Sequence, residues 1–415
     1  MTRSNHRPIA VALRAICVGG ALTGTAAHAT WDIVPEVALT NELDDNARLV
    51  IEDQPESTRT ALDGRLRLRT FSQRGEAFIE PRIVTDSYAD SRDKELESND
   101  SFLLARAVYN FQKGTRIEFQ SDYRRESVLR SEFENIIDPG PDLGNQTIDT
   151  GAGRLQTFTD ERKRLDLGFN AQFRVSERTN FRLETSRIDV AYPDSVATTR
   201  SPFDNTTLGA VLTRLVDQRN EVSARVYVAD FHADRNDNDT HAFGVEGSFQ
   251  RPLSQTWTFD INAGVARRNY TFIDNAVRVD NADSSFTFGT NLTKKSDLTQ
   301  WTIGVGRSLN PNSNGFLAQR DDVTFRVRRQ FRPRLAATVG LRASQVDAAD
   351  NAAAGNDGDY WRASLAVEWN MTPRWLLTTG LDRVTDRLAG PGSPEATSNA
   401  VQFGVRYRGL ARDNR

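Results

Sequence analysis

In the segment 334–342, Leu335, Ala337, Val339 and Leu341 fall on one parity, and Arg334, Ala336, Thr338, Gly340 and Arg342 fall on the other. Successive side chains of a strand point to opposite faces, so a period of two over about ten residues predicts a ribbon with one apolar and one wet side. The pattern recurs in Leu165, Leu167, Phe169, Ala171 and Phe173, in Trp257, Phe259, Ile261, Ala263 and Val265, and in Trp361, Ala363, Leu365, Val367 and Trp369. After residue 29 no stretch is apolar enough to cross a membrane as a helix.

Turn signals set how the ribbons connect. Tight connections are expected at 72–75 (SQRG), 112–115, 175–179, 216–220, 251–255, 293–297, 331–334 and 370–374, each between two alternating runs. Longer segments rich in Asp, Asn, Gly and Pro lie between these hairpins, at 44–58, 88–99, 128–160, 192–205, 233–239, 273–282, 310–319, 347–358 and 387–397. Short turns on one rim and long loops on the other are the signature of an outer-membrane barrel. The fold class predicted is all-β: a transmembrane antiparallel up-and-down β-barrel of about 18 strands (16–18), with short periplasmic turns and longer extracellular loops. Trp31, Trp257, Trp301, Trp361, Trp369 and Trp375 all fall near expected strand ends, at headgroup depth. A soluble β-sandwich with the same stripes packed inside is the competing architecture, but it rarely keeps so regular an alternation of turn and loop.

The first 29 residues read as an export signal. Arg3, Arg7 and Arg14 precede and flank a short apolar run around Ile16–Leu22, and Ala27-His28-Ala29 supplies a cleavage site. Cleavage after Ala29 leaves a single barrel domain, 30–415, and takes the formal charge from -3 to -6. It also removes Cys17, the only cysteine, which excludes disulfides and thiol-bound metals from the mature chain. An apolar fraction of 38% is low for a membrane protein, yet it suits a barrel in which only every second strand residue meets lipid.

The wet faces are rich in arginine. Arg65, Arg67 and Arg69 share one face of a strand, and Arg116, Arg124, Arg174, Arg182, Arg225, Arg268, Arg326, Arg328, Arg342, Arg362 and Arg406 fit the same side elsewhere. Glu80, Glu118, Asp166, Glu184, Glu246, Asp260, Glu368 and Asp382 accompany them. The expected lumen is therefore net positive, lined by groups that bind carboxylate, sulfate or phosphate in a two-pronged way. Anionic or sugar-like solutes are the expected cargo; cross-strand pairing of arginines with acids, which stiffens and fills the lumen, is the alternative. The segment 128–160 is the longest irregular stretch, either an infolded constriction or an external loop.

Catalysis has little to draw on. His232 and His241 flank an acidic loop with Asp230, Asp234, Asp237 and Asp239, but register puts both on the apolar parity near the rim, with no serine motif beside them. No phosphate-cradling or dinucleotide motif is present and no cofactor is expected; GVGRS at 304–308 is an alternating strand. Nucleic acid is excluded as a partner, because the basic residues are spread over many strands. The partners expected are outer-membrane lipid and lipopolysaccharide, with the barrel assembly machinery during biogenesis.

The opening WDIVPEVALTNELDDNARL (31–49), with its acidic Asp44-Asp45-Asn46 turn, resembles the entry strand of the β-barrel porin type 2 family. The similar organisation runs over the whole mature chain to the strand NAVQFGVRYRG at 399–409. The resemblance implies an outer-membrane channel, or a barrel for exopolysaccharide export cooperating with periplasmic export components; a plugged structural or adhesive barrel is a further alternative. It carries over no catalytic residue. The LARDNR that follows the Phe403, Val405, Tyr407 stripe departs from barrels that end on an aromatic residue.

Overall fold

A computed structural model describes residues 30–409 except 52–55, 112–113, 128–160, 194–199, 235–236, 275–276, 312–314, 349–357 and 389–394. The export signal expected at 1–29 and the long segment 128–160 thus lie outside the described residues. The strands are β1 (Thr30–Asp44), β2 (Ser57–Phe71), β3 (Gly75–Tyr88), β4 (Ser98–Asn110), β5 (Arg116–Ser127) and β6 (Glu161–Ser176). Then come β7 (Thr179–Ala191), β8 (Phe203–Leu215), β9 (Glu221–Ala233), β10 (Asn238–Pro252), β11 (Trp257–Asp274) and β12 (Val277–Lys295). The last six are β13 (Thr299–Pro311), β14 (Leu317–Arg332), β15 (Leu335–Ala348), β16 (Gly358–Asn370), β17 (Trp375–Leu388) and β18 (Glu395–Arg408).

Each strand pairs antiparallel with its neighbours in sequence, and β1 pairs with β18, so the 18-stranded sheet closes on itself. Closure satisfies backbone groups that an open edge would leave bare in hydrocarbon. A register through Glu36 opposite both Arg65 and Arg408 fixes which parity faces inward around the whole wall. Val37, Leu39, Leu62, Ile83, Phe169, Phe243, Val265, Phe286 and Phe403 point outward and are exposed. An outer face this apolar on a closed barrel places the protein in an outer membrane.

The tight turns share one chemistry. A side-chain oxygen at the turn's first residues accepts the backbone N–H three residues on: Gly75 to Ser72, Trp257 to Ser254, Thr299 to Ser296, Trp375 to Thr372 and Asn220 to Asp217. This local bond supplies a partner that the bent backbone lacks and sends the chain straight into the next strand. The β2–β3 ladder skips Leu66 and Arg67, opposite Pro81 and Glu80, because proline brings no N–H.

One connection differs from the expected pattern. The segment 273–282 reads as a loop, but β11 and β12 are 18 and 19 residues long and pair up to Asp274 opposite Val277. Above the lipid the outer face of a strand meets water, so Asn269, Thr271, Arg278 and Asp280 occupy that face and erase the apolar stripe while the ladder continues.

Candidate functional site

All of the arginines named from the sequence lie on the inward face by register, and height along the wall divides them. Toward the loop rim Arg65, Arg268 and Arg362 are buried in carboxylate pairs. Arg362 forks onto Asp382, Arg268 onto Asp283 with Nε to Oδ1 at 2.8 Å, and Arg342 and Arg320 converge on Asp322 at 2.9 and 3.0 Å. Arg124 grips Asp122 at 2.5 Å, and Arg65 lies between Asp63 and Glu36. Toward the turn rim Arg69, Arg116, Arg174, Arg182 and Arg326 are open to the lumen. Arg67, Arg225, Arg328 and Arg406 are intermediate, held by Glu80, Glu184, Glu368 and Glu36 respectively. Among the described residues, no acid pairs with Arg174 or Arg326.

The expectation of a net positive lumen is corrected by the same register. Glu36, Glu42, Asp63, Asp86, Asp122, Glu126, Asp283 and Asp322 also face inward, so carboxylates nearly match guanidinium groups among the described residues. Several sit beside Pro35, Gly64 or a second acid, where the alternation is blurred, and only the cross-strand partner reveals their face. Of the inward arginines absent from the sequence expectation, Arg59, Arg162, Arg164 and Arg320 lie beside strand ends or next to other charges, whereas Arg82 follows Pro81 and Arg106 sits between Ala105 and Ala107 in mid-strand. A modest cationic excess survives only in the turn half.

Two connections fold into the loop half. Leu49, with φ +48°, packs on Val384, Ala396 and Tyr360, while Asn46 donates to the carbonyls of Val50 and Thr397 at 2.8 and 2.9 Å. Arg48 reaches the short 3-10 helix Ser91–Leu96 and binds Asp93, Glu95 and the Arg92 carbonyl. Across the mouth, Asn238 donates to the Gly315 carbonyl at 2.8 Å, and Leu317 joins Val190, Tyr192, Phe203 and Phe231 in an internal apolar cluster. A cavity of about 170 Å³ remains between Leu49 and the wall, lined by both Arg59 and Arg82 and both Glu42 and Asp86.

By contrast, β11–β14 present a flat inner wall. Gly264, Gly289, Gly304 and Gly306 face inward, and the side chains of Asn262, Asn291 and Thr324 lie across the neighbouring glycines. A Cβ at Gly304 would meet Asn291 Oδ1 and Thr324 Oγ1 at 2.7 Å, so the absence of a side chain there keeps the wall low. Arg326 borders this amide and hydroxyl surface.

His232 and His241 sit on the outer face at the loop rim, bonded to Asp239 and Asp230 at 2.7 and 2.5 Å across β9 and β10. Among the described residues no group of three or more His, Cys, Asp or Glu side chains is arranged to hold a metal ion.

No protein-family model matches the sequence, and no curated protein matches it. The resemblance to the porin type 2 family therefore gains no family match, and the exopolysaccharide reading gains no support. Solved structures of similar fold include OccK2 (OpdF) of Pseudomonas aeruginosa, 9% identical over 92% of this chain and 98% of that one, with a TM-score of 0.49. OpdK of Pseudomonas aeruginosa with vanillate is 13% identical over 92% and 99%, with a TM-score of 0.45. OccAB2 of Acinetobacter baumannii is 9% identical over 91% and 98%, with a TM-score of 0.47. None of these likenesses transfers a substrate to this chain.

Proposed function

We propose that the protein is a passive, porin-like outer-membrane channel that conducts small anionic or sugar-like solutes. The observation that carries this reading is the turn half of the lumen, where Arg326 faces water beside the flat wall of β11–β14 and Arg174 faces water on β6, away from that wall, neither with an acidic partner among the described residues. An unpaired guanidinium inside a low-dielectric shell concentrates anions, and the amide and hydroxyl groups next to it exchange hydrogen bonds with a solute's hydroxyls. Residues 1–29 serve in this reading as a cleaved export signal, and the assembly machinery of the outer membrane inserts the mature chain.

The inward-folded connections in the loop half favour a second reading, a filled structural barrel. Planar-bilayer recording separates the two. The channel reading expects open-pore current with a reversal potential on the anion side, shifted toward cations in the Arg174→Glu, Arg326→Glu double variant. Cation preference in the unmodified protein overturns the anionic part. Absence of both conductance and liposome swelling replaces the channel with the filled barrel.

A further inference from the structure

On the outer face at the turn rim, cations and aromatic rings share one level between β10 and β17. Lys294 lies over the Trp257 ring at 5.3 Å, and Arg329 over Phe331 at 5.5 Å. Arg251 is exposed on the outward parity of β10, beyond ion-pair distance of any described acid, with Asp217 of the β8–β9 turn near enough to feel its charge. Arg334 and Arg374 stand in the next two turns, the former donating to the Met371 carbonyl at 3.2 Å. Trp301, Trp369 and Trp375 occupy the same depth, with Trp301 edge-on to Phe325 and Trp375 against Tyr407.

The distribution is lopsided. Asp297 is the single acid among the described residues of this stretch of outer face and turns. On the opposite half of the same rim the outward strand positions of β1 to β7 are Trp31, Thr70, Ala77, Tyr109, Ile117, Phe173 and Phe181, which carry no charge, and the cations among its described turn residues are Arg74 and Arg178, the latter next to Glu177. Interfacial rings alone suit any headgroup region. Rings interleaved with cations, at the depth of phosphate esters, suit a negatively charged one. The lumen plays no part for Arg251, Lys294 and Arg329, whose register turns them away from it.

We propose that the belt formed by Arg251, Lys294, Arg329, Arg334 and Arg374 with Trp257 and Phe331 binds the phosphate headgroups of anionic phospholipid in the leaflet that faces the turns. Trp257 and Phe331 fix the depth of Lys294 and Arg329 and shield one side of each from water, which leaves the other side for a phosphate oxygen.

The test compares lipid retention by the whole barrel, delipidated in neutral detergent and then exposed to equimolar dioleoyl phosphatidylglycerol and dioleoyl phosphatidylcholine, with bound lipid counted by native mass spectrometry. The wild type is expected to retain phosphatidylglycerol over phosphatidylcholine. Each cation should contribute up to about fivefold, so the Arg251→Gln, Lys294→Gln, Arg329→Gln triple variant should lose most of the preference. A control, Arg267→Gln with Arg383→Gln on the outer face near the other rim, should keep it. Equal retention of both lipids by the wild type overturns the proposal. So does a preference that survives the triple variant, or one lost equally in the control. Conductance of the triple variant should equal that of the wild type, so failure here leaves the channel reading standing.

Discussion

Ser398 Oγ donates to Asp44 Oδ1 at 2.8 Å, joining the last strand to the first across 354 positions of sequence. Asp45 continues the seam by accepting both the backbone N–H and the side-chain amide of Asn399 at 2.7 Å, and Asn46 reaches the Thr397 carbonyl. The acidic turn thus clasps the barrel where its two ends meet. Asn46 is fully buried and also exchanges hydrogen bonds with Val50 in both directions. Asn46→Ala should therefore lower stability by about 2–3 kcal/mol, more than Asp45→Ala at about 1 kcal/mol. Urea unfolding in vesicles, followed by the mobility shift of folded barrel on gels, measures both. Equal effects of the two would remove the distinction between a buried and a rim contact.

The two classes of arginine should respond differently when their acids are removed. Arg268 is 4% exposed and forks onto Asp283, so Asp283→Ala strips a buried guanidinium of its carboxylate and should cost about 3 kcal/mol. Replacing both, Arg268→Met with Asp283→Leu, should recover most of that loss. Glu76→Ala, beside an Arg69 that is 45% exposed, should change stability by less than about 1 kcal/mol. The same unfolding assay tests all three.

Charge is also polarised along the axis. At the loop rim Asp90, Glu95 and Glu97 are offset by Arg92, Arg48 and Lys94, which leaves Asp45, Asp234 and Asp237, whereas in the turns Arg74, Arg178, Arg219, Arg334 and Arg374 outnumber Glu177, Asp217 and Asp297 among the described residues. Cations entering through an acidic mouth and anions entering through a basic one enrich the pore together, and the reverse field depletes it. Current should be larger when the loop side is positive, at about 0.1 M salt, and the asymmetry should fade near 1 M as the Debye length falls to about 3 Å. A symmetric current–voltage curve at low salt contradicts this.

Acid should loosen the connection between β3 and β4 late. The Arg92 side chain and backbone N–H hold Asp90 down to about 2, and Lys94 followed by the Tyr88 N–H holds Glu97 below its usual value. A carboxylate depressed in the fold contributes stability above its unfolded pKa and loses it as pH falls toward the folded one. Hydrogen exchange of residues 89–97 should stay flat, after correction for intrinsic rates, from pH 7 to about 4, then rise toward pH 2. A rise between pH 7 and 5 would show that other groups hold the segment.

The strand count, the turns and the inward arginines were legible because alternation is a local property: Leu335 to Leu341 cannot face lipid without turning Arg342 inward. The charge balance of the lumen was not, since Asp283 acquires its role only from a partner 15 positions away in β11. Inward folding of Leu49 was equally hidden, because its pocket is assembled from Tyr360, Val384 and Ala396, more than 300 residues on. The long β11–β12 hairpin was missed for the opposite reason: outside lipid, the code that marks a strand stops being written.

That hairpin outreaches its neighbours, β10 with 15 residues and β13 with 13, by three to six residues, or about 10–20 Å. Among the described residues this ladder carries its polar outer face past the apolar stripe, while Phe272 seats its inner face on Phe316 of the next connection. Its outward residues Asn269, Thr271, Arg278 and Asp280 are therefore the positions of this hairpin that an antibody approaching the cell would contact.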